Sequence, residues 1–245
     1  EYTFRTINSL LRSLKFGKKF LKKIKFKIYV IDHNSKDSDL EKIRNILHSA
    51  NIEFEITNLD LEKFKQIKTL DKGNLIIENN MKATMASIFT SFNIAKKNCG
   101  DLIYFVEDDY IHKENSIVEM VSTYEKIASE LNCELFLCPA DYPYLYKKLD
   151  NSNILIGNSY HWRTVNESLL TFLTSKDLIN KYWNELLFMA ENEHSPFETP
   201  LHQIYEKELC LSPIPSLAMH CTNVNSIFGL SPNMNWKKLW DENEI

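Results

Sequence analysis

At 245 residues, with 44% hydrophobic and 12% aromatic content, the chain is long enough and apolar enough to bury a core as one large α/β domain or two small ones. A net charge of -4 argues against a general nucleic-acid binder, which needs a basic footprint on the domain scale, and no apolar run approaches the length of a membrane span. The five cysteines are odd in number and scattered and form no metal-ligand pair, so buried thiols in a reducing compartment and a soluble, cytoplasmic protein are expected. The chain opens on Glu1 rather than Met, without a signal-peptide pattern, as a fragment or processed form would. With 5 glycines there is no Gly-rich phosphate loop.

Phe4, Ile7, Leu11 and Leu14 recur at helical spacing and predict a helix over residues 3–14. From Lys15 to Lys27, seven lysines interleave with apolar residues. This reads as a solvated connector, with peripheral contact to an anionic membrane face as the alternative. Ile28 to Ile31 is a short buried-strand run, followed by the polar turn Asp32 to Asp37. Ser38 and Glu41 match a capping box, and Leu40, Ile43, Leu47 and Ala50 give the stripe of a second helix. Strand, turn and helix in that order place Asp32 at a ligand crevice, unless the turn residues are only turn and cap formers. Phe54 and Ile56 predict an edge strand and Asn74 to Ile77 another. Met85, Phe89 and Phe92 mark a helix ending near Cys99 and Gly100, with Lys82 in the turn that leads into it.

Leu102 to Val106 is an unbroken apolar run, the mark of a strand buried on both faces, and it stops at Glu107, Asp108 and Asp109. Carboxylates at the carboxyl edge of a central strand sit where ligands bind in open α/β sheets. Three like charges so close need water, donors or a cation, and a divalent cation is the expectation. Ser116 and Glu119 match a second capping box, Leu135 to Cys138 a buried strand, and Pro139 to Tyr144 a loop enforced by prolines. The expected architecture is α/β, with a mostly parallel central sheet flanked by helices and a less regular second half. That half holds Ile154 to Ile156, the loop containing His161, Trp162 and Arg163, a strand from Leu169 to Leu173, and a helix from Asp177 to Ala190. Thr199 as N-cap and Pro200 at the first position predict a helix just after Glu198, whose free amides would favour the ionised carboxylate. Pro213 to His220 reads as irregular. One domain is expected, with a nucleotide-binding half over about 1–110 and an acceptor-side half over about 111–245.

Asp32 to Asp37 resembles the Asp-Asp-Gly-Ser-x-Asp turn of family 2-like glycosyltransferases of the GT-A fold, with His33 and Asn34 in place of the second Asp and the Gly. Asn93 to Asp109 resembles the helix, Gly-Asp pair and strand leading into that fold's DXD motif, here Glu107-Asp108-Asp109. Ser216 to His220 is similar to the segment carrying a C-terminal His close to the metal and diphosphate. The family's first strand is not visible, so either the chain is trimmed or another segment fills that place in the sheet.

The resemblance implies a GT-A-like fold and an inverting hexosyl- or N-acetylhexosaminyl-transferase moving sugar from a nucleotide-sugar donor, a UDP-sugar first among them, to a glycan or lipid-linked acceptor. It implies that Asp32, Ser35, Lys82 and Arg163 contact the donor, that Asp108 faces the ribose, and that Asp109, with Glu107 and His220, holds Mn²⁺ or Mg²⁺. Glu198 takes the place of the general base, with Glu193 as its rival. Trp162 offers a face on which a sugar stacks, or is core. The alternatives are a nucleotidyltransferase that makes nucleotide sugars and a non-catalytic glycan- or partner-binding domain on the same fold.

Overall fold

Period-two alternation explains the centre of the molecule. Along β5 (Leu135–Leu137), Leu135 and Leu137 join one apolar cluster, while Phe136 and the following Cys138 join another on the opposite face. The same split divides Phe172 from Leu173 in β8 (Phe172–Ser175) and Cys210 from Leu211 in β9 (Leu209–Ile214). Both faces of the sheet are therefore buried. The computed structural model describes residues 2–147, 149–222, 224–226 and 229–244.

One face is covered by α1 (Tyr2–Gly17), α2 (Asp37–Ser49) and α4 (Ser116–Leu131), with β1 (Lys27–Asp32) and β2 (Glu53–Asn58) packed beside them. The other face is covered by α3 (Leu75–Asn98), α5 (Lys176–Lys181), α6 (Trp183–Glu191) and α7 (Thr199–Tyr205). The six-stranded sheet also contains β3 (Leu102–Phe105), β6 (Ile154–Ile156) and β7 (His161–Thr164), in the order β3-β8-β5-β9-β7-β6. β4 (Tyr110–His112) pairs with β10 (Ala218–His220) in a separate ribbon, and α8 (Trp236–Asp241) ends the described elements.

The α/β class with helices on a central sheet is as expected, but strand direction is mixed. β1 and β2 run parallel, as do β5 and β9. β8 enters between β3 and β5 and opposes both, and β7 opposes β9 and β6. Elsewhere caps and turns overrule apolar runs. Residues 74–77 form no strand, because the Asn74 carboxamide accepts from the Ile76 and Ile77 amides and starts α3 there. The helix expected over 177–190 breaks at Tyr182 into α5 and α6. Residues 213–220, expected to be irregular, supply the end of β9 and all of β10. Among the described residues no helix is long and apolar enough to cross a membrane.

Neither capping box forms. α2 starts at Asp37 after Lys36, and α4 starts after Asn115, both without a side-chain cap. Glu119 instead turns inward, where it is 1% exposed. It accepts from Thr123 Oγ1 at 3.0 Å, Asn158 Nδ2 at 3.1 Å, the Ser159 amide at 2.9 Å, the Tyr160 amide at 3.2 Å and Trp162 Nε1 at 3.3 Å. A buried carboxylate so supplied with donors fixes the turn before β7. Gly157 is required beside it, since a Cβ there would lie 2.4 Å from Trp162 Nε1.

Burial alone would raise the Glu119 pKa, but the bonds from Ser159, Asn158 and Trp162 bring it below its ordinary 4.5. Its stabilisation is therefore present above pH 4.5 and lost as the pH falls through the lower folded value. Glu119→Gln is expected to reduce unfolding free energy by ~2 kcal/mol at pH 7. Urea titrations at descending pH are expected to show the gap between variant and wild type closing.

Candidate functional site

The backbone ends β3 at Phe105 and turns through residues 106–109 into β4. Antiparallel pairing sets His220 opposite Tyr110, Met219 opposite Ile111 and Ala218 opposite His112. The ladder continues with the Cys221 amide donating to the Asp109 carbonyl at 2.7 Å. This register brings His220 Nε2 to 2.9 Å from Asp109 Oδ2, although the two residues lie far apart in sequence. Burial pushes the Asp109 carboxyl up, but hydrogen bonds from His220 and Thr222 hold it below its ordinary value.

The three acids are not equivalent. Glu107 turns inward, its amide donating to Thr171 Oγ1 at 3.0 Å and its Oε2 accepting from the same hydroxyl at 3.1 Å. Burial first, and then the charge of Asp109, push its pKa to about 7. Asp108 is exposed and accepts from Thr3 Oγ1 of α1 at 2.9 Å. Asp109 is the member paired with an imidazole. Thr171, fully enclosed at the entry to β8, carried no signal in the sequence that set it apart from an ordinary strand threonine.

Glu198 is the N-cap residue of α7, one position earlier than the expected Thr199, and its side chain makes no cap hydrogen bond. Its carboxyl is raised above the ordinary value by burial, against the expectation that helix amides would keep it low. It lies near enough for its charge to act on Glu107. Glu193 is placed differently, accepting from the Leu70 amide at 2.8 Å and pairing with Lys72 Nζ at 2.5 Å. Its pKa is lowered because those bonds outweigh burial, and it ties the segment before α3 to the segment after α6.

Asp32 ends β1, 9% exposed, with the Ser35 amide 3.4 Å from its Oδ2. Asn34 adopts φ 62°, a left-handed conformation that asparagine tolerates and that the glycine of the resembled turn would adopt freely. Lys82 lies within α3 rather than in the turn before it. Among the described residues no hydrogen bond or ion pair joins Asp32, Ser35 or Lys82 to residues 107–109. Arg163 is not free to grip a diphosphate as expected, since its Nη2 donates to Asp141 Oδ1 at 2.7 Å and its guanidinium lies 4.1 Å from the centroid of the Tyr146 ring. Trp162 is 0% exposed and belongs to the core.

The site therefore brings together Glu107, Asp109 and His220, with Glu198 nearby. Among the described residues no group of three or more His, Cys, Asp or Glu side chains is gathered to hold a metal ion. The carboxylate of this 2.9 Å pair is a ligand type that suits Mg²⁺ or Mn²⁺, whose remaining positions water and substrate phosphates would fill; the imidazole is a softer donor that could join it on Mn²⁺.

No known family model and no curated protein matches this chain. Among solved structures it is similar to UDP-glucose pyrophosphorylase in its apo form, at 9% identity and TM-score 0.47, and in its complex with UDP-glucose, at 8% identity and TM-score 0.44. Each likeness covers 90% of this chain and 82% of the other. Likenesses of that size carry no argument about activity.

Proposed function

We propose that the chain is a divalent-cation-dependent transferase that uses a nucleotide sugar and passes its hexose or N-acetylhexosamine to a glycan or lipid-linked acceptor with inversion. The observation that carries this reading is the Asp109–His220 pair, 2.9 Å apart at the carboxyl edge of β3, with the raised carboxyl of Glu198 in electrostatic range of the same turn. Asp109 and His220 would hold Mn²⁺ or Mg²⁺, which supplies charge stabilisation for a departing nucleoside diphosphate. The acceptor hydroxyl attacks the anomeric carbon and gives its proton to the Glu198 carboxylate. The bond from that carbon to the diphosphate oxygen breaks, and the diphosphate leaves with the electron pair.

The second reading is a nucleotidyltransferase that makes a nucleotide sugar. It uses the same cation pair, but its nucleophile is a phosphate oxygen already ionised at neutral pH, so it leaves the raised Glu198 carboxyl without a role. Product analysis separates the two: UDP accumulates from a UDP-sugar in the first, and pyrophosphate from UTP plus a sugar 1-phosphate in the second.

Calorimetry is expected to show UDP binding that requires Mn²⁺ and weakens by at least ~10-fold in Asp109→Asn and His220→Ala, a loss typical even of groups that only support a metal's ligands. UDP binding that ignores Mn²⁺ would contradict the proposal. Glu198→Gln is expected to keep UDP binding and lose transfer by ~10²-fold. A base acts deprotonated, so wild-type turnover should fall on acidification with an inflection above 4.5, and that limb should be missing from the residual activity of Glu198→Gln.

A further inference from the structure

The lysine-rich segment between α1 and β1 leaves the helix through a chain of reverse turns. The Lys18 amide donates to the Leu14 carbonyl, the Phe20 and Leu21 amides to that of Gly17, and the Ile24 amide to that of Leu21, at 2.8 to 3.1 Å. Three of its apolar residues turn inward: Leu21, Ile24 and Phe26 pack against the cluster that holds Leu11, Leu14 and Ile117. A solvated connector accounts for that much, since its lysines then face water.

It does not account for Phe16 and Phe20. Neither joins a core cluster among the described residues, and Phe20 is 62% exposed. The two rings lie 5.1 Å apart at 44°, with Lys19 Nζ 5.2 Å from the Phe16 centroid. The charge around this pair is of one sign. Lys15, Lys18, Lys19, Lys22, Lys23, Lys25 and Lys27 are all exposed, and no acid lies between Lys15 and Lys27 in a chain whose net charge is -4. Glu53 and Glu55 engage Lys27 at 3.1 and 3.5 Å, and Lys18 donates to the Asn51 carbonyl at 3.2 Å. Among the described residues Lys15, Lys22, Lys23 and Lys25 make no hydrogen bond or ion pair. An exposed aromatic pair ringed by unengaged cations is the pattern of a surface that an anionic, partly apolar partner covers.

We propose that this face docks on a bilayer containing anionic phospholipid, with Phe20 entering the headgroup boundary and the unengaged lysines contacting lipid phosphates. One apolar group or one basic cluster alone holds a protein weakly to a bilayer, and the two together hold it stably. An extended nucleic acid fits less well, because its phosphates run on past a single turn of chain onto a surface that is acidic outside this segment. α1 links the docking face to the candidate site. Thr3 near its start donates to Asp108 at 2.9 Å, and Phe16 lies about 20 Å further along the helix axis. Docking is independent of the reaction at that site; where the reaction is sugar transfer, docking brings a lipid-linked acceptor rather than a free glycan to the enzyme.

Sedimentation of the full chain with vesicles of phosphatidylcholine, with and without phosphatidylglycerol, tests this. Wild type is expected to pellet with the mixed vesicles, to stay in solution with the neutral ones, and to be released from the former by salt that screens surface charge. Replacing three lysines together, Lys22→Gln, Lys23→Gln and Lys25→Gln, should weaken partition into mixed vesicles by ~10²-fold, at ~5-fold per lysine. Phe20→Ser should weaken it by ~10-fold. All four side chains are exposed, so both variants are expected to keep the wild-type circular dichroism and melting temperature. Failure of wild type to bind mixed vesicles, equal binding to neutral ones, or binding unchanged in the lysine variant overturns the proposal. Binding that falls in the lysine variant but not in Phe20→Ser makes the face a general polyanion site, nucleic acid included, and overturns it as well.

Discussion

The pairing of β10 with β4 is the constraint on which the candidate site depends. It extends at both ends, through Cys221 to the Asp109 carbonyl and through the Lys113 amide to the Leu217 carbonyl. The same segment is fastened from below, where the Leu217 and Ala218 amides both donate to the Pro139 carbonyl. Three stretches remote in sequence, 107–112, 139–147 and 216–222, become one structure through these bonds. Without them His220 has no reason to meet Asp109, and Asp141 loses the Ser216 hydroxyl that receives its amide.

Electrostatics then divides the labour among neighbouring acids. Three consecutive carboxyl groups cannot share one environment without mutual repulsion. The turn sends Glu107 inward to Thr171, Asp108 outward to Thr3, and Asp109 toward His220. Burial pushes Glu107 up, while donors hold Asp109 down. A similar contrast separates Glu198, raised by burial, from Glu193, kept low by Lys72 and the Leu70 amide. In both cases burial raises one carboxyl while donors hold the other down, and donors supplied by distant parts of the chain do not show in a sequence.

What was legible follows from that rule. The β3 run, its stop at three acids, the strand–turn–helix at Asp32 and the helix after Glu198 depend on residues close in sequence, and each appears within a residue or two of its expected place, although β3, expected as a central strand buried on both faces, is the half-buried end strand of its sheet. Strand direction was not legible, because β8 slots between β3 and β5 by tertiary packing that no local pattern encodes. The capping boxes at Ser38 and Ser116 matched the local pattern and failed for different reasons. α2 begins before Ser38, and Glu119 is claimed by the donors of residues 158–162. Arg163 looked like a ligand-facing residue in a polar loop and Trp162 like either a stacking face or core, and the pairing of β7 with β9 buries both.

The central claim is that Asp109 and His220 share a divalent cation with a nucleoside diphosphate. Pulsed electron paramagnetic resonance of Mn²⁺ bound with UDP addresses it directly, because the metal's electron spin couples to nuclei in its coordination shell. The expected spectrum shows ³¹P coupling from the diphosphate together with ¹⁴N coupling from an imidazole, the latter absent in His220→Ala. Mn²⁺ that shows only water protons, or a ¹⁴N signal unchanged in His220→Ala, would contradict the assignment.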